Sequence, residues 1–132
     1  MAIKISDLSV GDWVLCGEDT TPCKIIGIDS NVHPNVTLCD SYYPQGVIAF
    51  LDMIRPIPIT AEILEANGLC VVEQDADFCE YELFGSENFS LFHTKGTLRY
   101  RLETPQASVV CWFVHELQHA LRLAGVDKEI NL

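Results

Sequence analysis

The sequence predicts an α+β protein on three features. Short β-branched runs separated by turn residues fill the chain up to Pro58, apolar and charged residues alternate from Phe78 to Glu103, and one long helical pattern lies near the end. The expected architecture is an N-terminal SH3-like small β-barrel in residues 1–58, followed in residues 59–132 by a short linking helix, a three-stranded antiparallel meander and a C-terminal helix covering it. The two parts are expected to form one compact unit.

Ser6-Asp7-Leu8-Ser9-Val10-Gly11-Asp12 reads as a turn feeding a strand that begins at Trp13. Residues 23–28, 36–39 and 46–51 follow as short strands, and the segments between them are rich in Gly, Pro, Asn, Asp and Thr. Strands this short and evenly spaced suit a small, curled antiparallel sheet. The Gly11-Asp12-Trp13-Val14 start and the return through Asp52-Met53-Ile54-Arg55-Pro56 carry the likeness to an SH3-like barrel. Such barrels bind peptides, nucleic acids or nothing, so the fold alone assigns no role. Trp13, Tyr42 and Tyr43 are candidates for a peptide groove, with core or rim packing as the structural alternative.

Pro56-Ile57-Pro58-Ile59 leads stiffly out of the sheet. Thr60 is placed to cap a helix running through Ala66, with Ile63 and Leu64 inward, and Asn67-Gly68 ends it. Residues 73–82 are the most acidic stretch; they lack the glycine and ligand spacing of a calcium loop and read as a solvated strand edge. Cys79, Tyr81 and Leu83 then fall on one side of a strand and Glu80 and Glu82 on the other. Residues 88–94 and 97–103 give two more strands, joined at Lys95-Gly96. Arg99 and Arg101 share a face within reach of Glu80 or Glu82, in exposed pairs worth less than about 1 kcal/mol each.

The helical pattern runs from Val110 to Gly125. At about 100° per residue, Val110, Phe113, Val114, Leu117, Ala120, Leu121 and Ala124 share one face, which is expected to cover the meander. His115, His119 and Arg122 fall opposite, flanked by Trp112 and Leu123, with Glu116 at the boundary. Gly125 is a natural C-cap. Thr104-Pro105 and the β-branched run 108–113 compete at the other end, and the start is placed near Trp112.

His115-Glu116-Leu117-Gln118-His119 is the one constellation in the chain that points to catalytic chemistry. Residues four apart on a helix can present two imidazoles to one zinc ion, with the adjacent carboxylate as general base for a metal-bound water. That reading assigns His115 and His119 as ligands and Glu116 as base, and it needs a third ligand. A metzincin-type continuation would place glycine at position 122 and histidine at 125, where this chain has Arg122 and Gly125. Cys79 and His93 are the upstream candidates, by analogy with the cysteine of peptide deformylases, although the glycine-rich and glutamine elements of those enzymes have no counterpart here. Cys111 cannot complete the set, because a helix rises about 12 Å between it and His119. The opposing reading is a non-enzymatic interaction helix that presents Trp112, His115, His119, Arg122 and Leu123. It requires no cofactor.

Composition narrows the partners. The 132 residues are 48% hydrophobic and 20% charged, which suits a folded domain, and 19 acidic against 8 basic residues give a net charge of -11. Both halves share the excess: three basic and seven acidic residues up to Pro58, five and twelve beyond. Such a field repels phosphate backbones and anionic lipid, so nucleic acid and membrane are excluded as expected partners. A protein, or a second copy of the chain, is the expected partner. No apolar run approaches the roughly 20 residues that span a bilayer, and the first residues lack the basic-then-apolar order of a signal peptide. The expectation is a cytoplasmic protein with its six cysteines reduced and mostly buried.

Residues 6–14, 54–68 and 114–125 resemble an uncharacterised family of short proteins from gut anaerobic bacteria and their mobile elements. The resemblance implies a structural C-terminal helix, since relatives can carry Gln at the place of Glu116 and Asn at that of His119. It assigns no catalytic residue, and it suggests association with a mobile element.

Overall fold

The computed structural model describes residues 3–83 and 89–132, in two compact units, Met1–Ile57 and Pro58–Leu132. The first unit holds five strands: β1 (Trp13–Cys16), β2 (Cys23–Asp29), β3 (Asn35–Cys39), β4 (Val47–Phe50) and β5 (Ile54–Arg55). They form one antiparallel sheet in the order β4-β3-β2-β1-β5, with a 3-10 turn at Leu51–Met53 between β4 and β5. The described pairings leave this sheet open rather than closing it into the expected barrel. Its core gathers Val14, Cys23, Ile25, Val36, Leu38, Ala49 and Ile54, with Leu8 from the leading segment. Asp12, almost wholly buried, accepts the Ser9 N–H at 2.8 Å, which fixes the turn before β1 and satisfies the carboxylate. Gly46 has φ +101, and a Cβ there would lie 2.7 Å from the Thr37 side chain, so the turn into β4 admits only glycine.

The second unit opens with α1 (Ala61–Ala66), where the Thr60 hydroxyl accepts the Ile63 N–H at 3.2 Å. Five strands follow instead of the expected three: β6 (Leu69–Gln74), β7 (Phe78–Leu83), β8 (Ser90–Thr94), β9 (Tyr100–Glu103) and β10 (Ser108–Cys111). They form an antiparallel meander in sequence order. The acidic stretch is the β6–β7 hairpin, in which the Asp75 carboxylate accepts the N–H groups of Asp77 and Phe78 at 2.7 and 2.8 Å. Those two bonds hold the Asp75 carboxyl below its ordinary pKa. The expected strand 88–94 is observed from Ser90; Asn88 lies outside the described residues.

Register corrects the expected ion pairs. Phe92 stands between Glu80 and Arg101, so the guanidinium lies over the Phe92 ring at 5.2 Å and pairs along its own strand with Glu103 at 2.9 Å. Helix α2 spans Val114–Leu123 and buries Val114, Leu117, Ala120 and Leu121. The helix starts two residues later than placed from the pattern, because β10 takes up residues 108–111.

The chain beyond α2 is held by two buried amides. Gln118 donates to the Lys128 carbonyl at 3.1 Å and accepts the Ile130 N–H at 2.6 Å; Asn67 donates to the Asn131 carbonyl and accepts its N–H. Arg122 pairs with Glu129 at 3.1 Å, and the Ile130 side chain is buried. Gln118→Ala removes the acceptor of one buried backbone group and the donor to another. The expected cost is about 1–3 kcal/mol in urea unfolding, with faster amide exchange at Ile130. An unchanged midpoint and unchanged exchange would show that the clamp does not hold the tail.

Candidate functional site

Only two residues, Trp112 and Phe113, separate β10 from α2. A strand that turns so abruptly into a helix leaves N–H groups at the join without intrahelical partners. The Glu116 carboxylate supplies the acceptor: its Oε1 receives the N–H of Trp112 at 3.0 Å and that of Phe113 at 3.1 Å. This is the reach-back of an N3 glutamate to the N-cap, and it occupies the group that the hydrolase reading needs as a base. On its other side the join pairs with Pro58-Ile59, where Phe113 bridges Pro58 and the Trp112 carbonyl accepts the Ile59 N–H.

The two histidines are neighbours. Their rings lie 5.9 Å apart, edge to face, and His115 also stacks with Phe113 at 6.1 Å. The structure corrects the expected exposure of His115: it is 5% exposed, buried with Val114, Leu117, Gln118, Ala120 and Leu121, while His119 is half-buried. Positions 118 and 115 flank the apolar stripe at about 40° and 100° from Val114, and Gln118 and Arg122 on that flank carry the bonds to the tail. Burial on this helix includes His115 as well. Of the expected interaction surface, Trp112 at 41% and Leu123 at 89% stay exposed, together with Arg122, which is engaged by Glu129.

Cys79 and His93 do meet, directly opposite each other on β7 and β8. Tyr100 and Cys111 continue the same row on β9 and β10, and the His93 ring stacks on Tyr100 at 4.3 Å with its Nε2 2.8 Å from the Thr97 carbonyl oxygen. Among the described residues, no three His, Cys, Asp or Glu side chains are grouped so as to hold a metal ion. The donor set that a catalytic zinc requires is therefore not assembled by His115, His119 and either upstream candidate.

All six cysteines are free thiols; Cys23, Cys79 and Cys111 are buried and Cys70 is exposed. Burial, with a smaller contribution from Glu116, pushes the Cys111 thiol up to about 12, and burial followed by Asp40 pushes Cys23 to about 11.

Sequence reasoning did not foresee two concavities. In the first unit a cleft of about 890 Å³ has apolar walls from Ile3, Pro34, Phe50, Leu51 and Ile54 and a polar rim from His33, Asp52 and Arg55. In the second, a groove of about 270 Å³ lies among Glu73, Asp75, Phe78, Glu80, Phe92 and Arg101. The groove was legible in part, because Phe78, Glu80, Phe92 and Arg101 alternate onto one face. The cleft was not, because its walls come from the leading segment, a loop and two strand ends. Trp13, with Lys24 5.8 Å from its ring, and the exposed Tyr42 and Tyr43 line neither.

The fold and site define a small α+β protein of two antiparallel sheets whose helix carries a capped His-Glu-x-x-His segment. No family model matches the chain, no curated protein matches it, and no solved structure matches it.

Two outcomes follow. Glu116→Gln keeps a carbonyl oxygen for the two N–H groups and should change stability by a few tenths of a kcal/mol, whereas Glu116→Ala should cost about 1 kcal/mol in urea unfolding. Equal behaviour of the two variants would remove the capping role. Iodoacetamide at pH 8 should modify Cys70 in the folded protein and reach Cys111 only with denaturant, as read by peptide mass mapping. The folded chain keeps the Cys111 proton that the unfolded chain releases from about pH 9, so stability should fall as pH rises from 9 toward 12.

Proposed function

We propose that the chain is a non-enzymatic protein-interaction module of the cytoplasm. We place it in the uncharacterised family that residues 6–14, 54–68 and 114–125 resemble, with the mobile-element association which that resemblance suggests. The observation that carries the reading is the use of the motif's polar groups: Glu116 caps the helix and Gln118 holds the tail. Residues so engaged are accounted for by stability. What this segment presents outward is Trp112 and Leu123, two large apolar side chains of the kind that anchor protein interfaces. The first unit is read as SH3-like in topology, supported by the strand order β4-β3-β2-β1-β5 and the 3-10 turn between β4 and β5. The acidic balance favours a partner protein with a basic surface.

The test has two arms. Elemental analysis of protein purified without a metal-affinity tag should find zinc well below one per chain. Near-stoichiometric zinc that is lost in His119→Ala would return the hydrolase reading, with His115 and His119 as ligands. Affinity capture from source-cell lysate should retain a protein that Trp112→Ala with Leu123→Ser loses by at least about ten-fold. Equal retention by the folded double variant would remove this surface from the proposal.

A further inference from the structure

The ends of the two sheets are finished differently. A strand at a sheet edge presents unpaired N–H and C=O groups, and proteins blunt such edges with charges, prolines, bulges or a covering element. In the second unit the edge strand β6 carries Glu73 and a bulge between Val71 and Glu73, while the other edge strand, β10, has no charge and no bulge and exposes Val109 and Val110. β4 in the first unit also lacks these devices: Val47-Ile48-Ala49-Phe50 contains no charge and no proline, and its pairing with β3 runs without a bulge.

Register shows which groups β4 offers. The Leu51 N–H donates to the Pro34 carbonyl at 3.2 Å, so the hydrogen-bonded pairs with β3 fall at Leu51, Ala49 and Val47. Ile48 and Phe50 alternate with them, and their N–H groups point to the open edge together with the Ile48 carbonyl. Their side chains, 66% and 55% exposed, share the face opposite the buried Ala49. Phe50 also forms part of the cleft wall.

We propose that β4 is a docking edge that accepts an extended, basic segment of a partner protein as a sixth strand and places one of its apolar side chains in the cleft beside Phe50. The backbone groups of Ile48 and Phe50 require an occupant in extended conformation, because only a strand presents donors and acceptors at their spacing. Two arguments decide against a second copy of this chain. Four-residue edges paired with each other bury far less than the roughly 1,200 Å² of a stable dimer, and each copy brings seven acidic against three basic residues in this unit alone. A partner segment gains what a second β4 lacks, since it continues into a cleft with apolar walls and carries Lys or Arg toward an acidic unit. β4 belongs to the first unit and Trp112 and Leu123 to the second, so this inference does not depend on the function proposed for them.

The experiment is selection of a random twelve-residue phage-displayed peptide library on the full chain, with Ile48→Pro as the comparison. Ile48 gives no hydrogen bond to β3, so proline there removes an outward donor and leaves the ladder whole. Selected peptides should alternate apolar residues with Lys or Arg and should bind Ile48→Pro at least about ten-fold more weakly. They should bind Trp112→Ala as tightly as the parent. N-methylation of alternate backbone nitrogens in a selected peptide should abolish binding in one register and spare it in the other, and this series decides the matter if Ile48→Pro does not fold. No enrichment, equal binding to a folded Ile48→Pro, or indifference to N-methylation in both registers would overturn the proposal. A parent that sediments as a dimer, with Ile48→Pro monomeric, would overturn it in favour of a second copy.

Discussion

The join between β10 and α2 depends on one carboxylate. Strand β10 and helix α2 follow each other with two residues between, and the change from extended to helical backbone strands the N–H groups of Trp112 and Phe113 at the join. Glu116 Oε1 receives both. With that end fixed, the helix points Val114, Leu117 and Leu121 into the core and brings Gln118 to the tail. His115 is buried on the adjoining flank, its ring next to Phe113 and His119. The segment with the spacing of a zinc hydrolase thus carries a capping carboxylate at position 116 and a buried side chain at 115.

How much of this was legible follows from the range of each signal. Local signals were sufficient for the Thr60 cap, for the alternation of Cys79 and Tyr81 against Glu80, and for the end of α2. There Gly125 has φ +75 and the Val126 N–H returns to the Leu121 carbonyl. Non-local signals were not. The β-branched run 108–113 satisfies both a strand and a helix pattern, and the choice is made by pairing of residues 108–111 with β9, a partner that lies outside the run. The helical wheel failed at His115 because angle gives a position on the helix and not what packs there; the ring lies buried next to Phe113 and His119. The pairing of Arg101 was missed because alternation gives the face of a residue but not its neighbour, and register put Phe92 between the charges.

The two buried amides extend this point. Asn67 and Gln118 are the residues a composition reading passes over, since one ends a short helix and the other lies between two histidines. Each makes a donor and an acceptor bond to the backbone of residues 128–131, as a strand partner would. Burying an amide without such partners is costly, so their burial and their bonds are one fact. They show that the segment after α2 is part of the second unit's framework.

The contrast between sheet edges carries the argument from stability to function. Bulges and charges at β6 cost pairing energy that an edge needing no protection would not require, which is why their presence reads as defence against unwanted strands. β4 lacks those devices while exposing Ile48 and Phe50 beside a cleft. On the docking proposal, what β4 gains by remaining open is an extended segment aligned with its outward N–H groups.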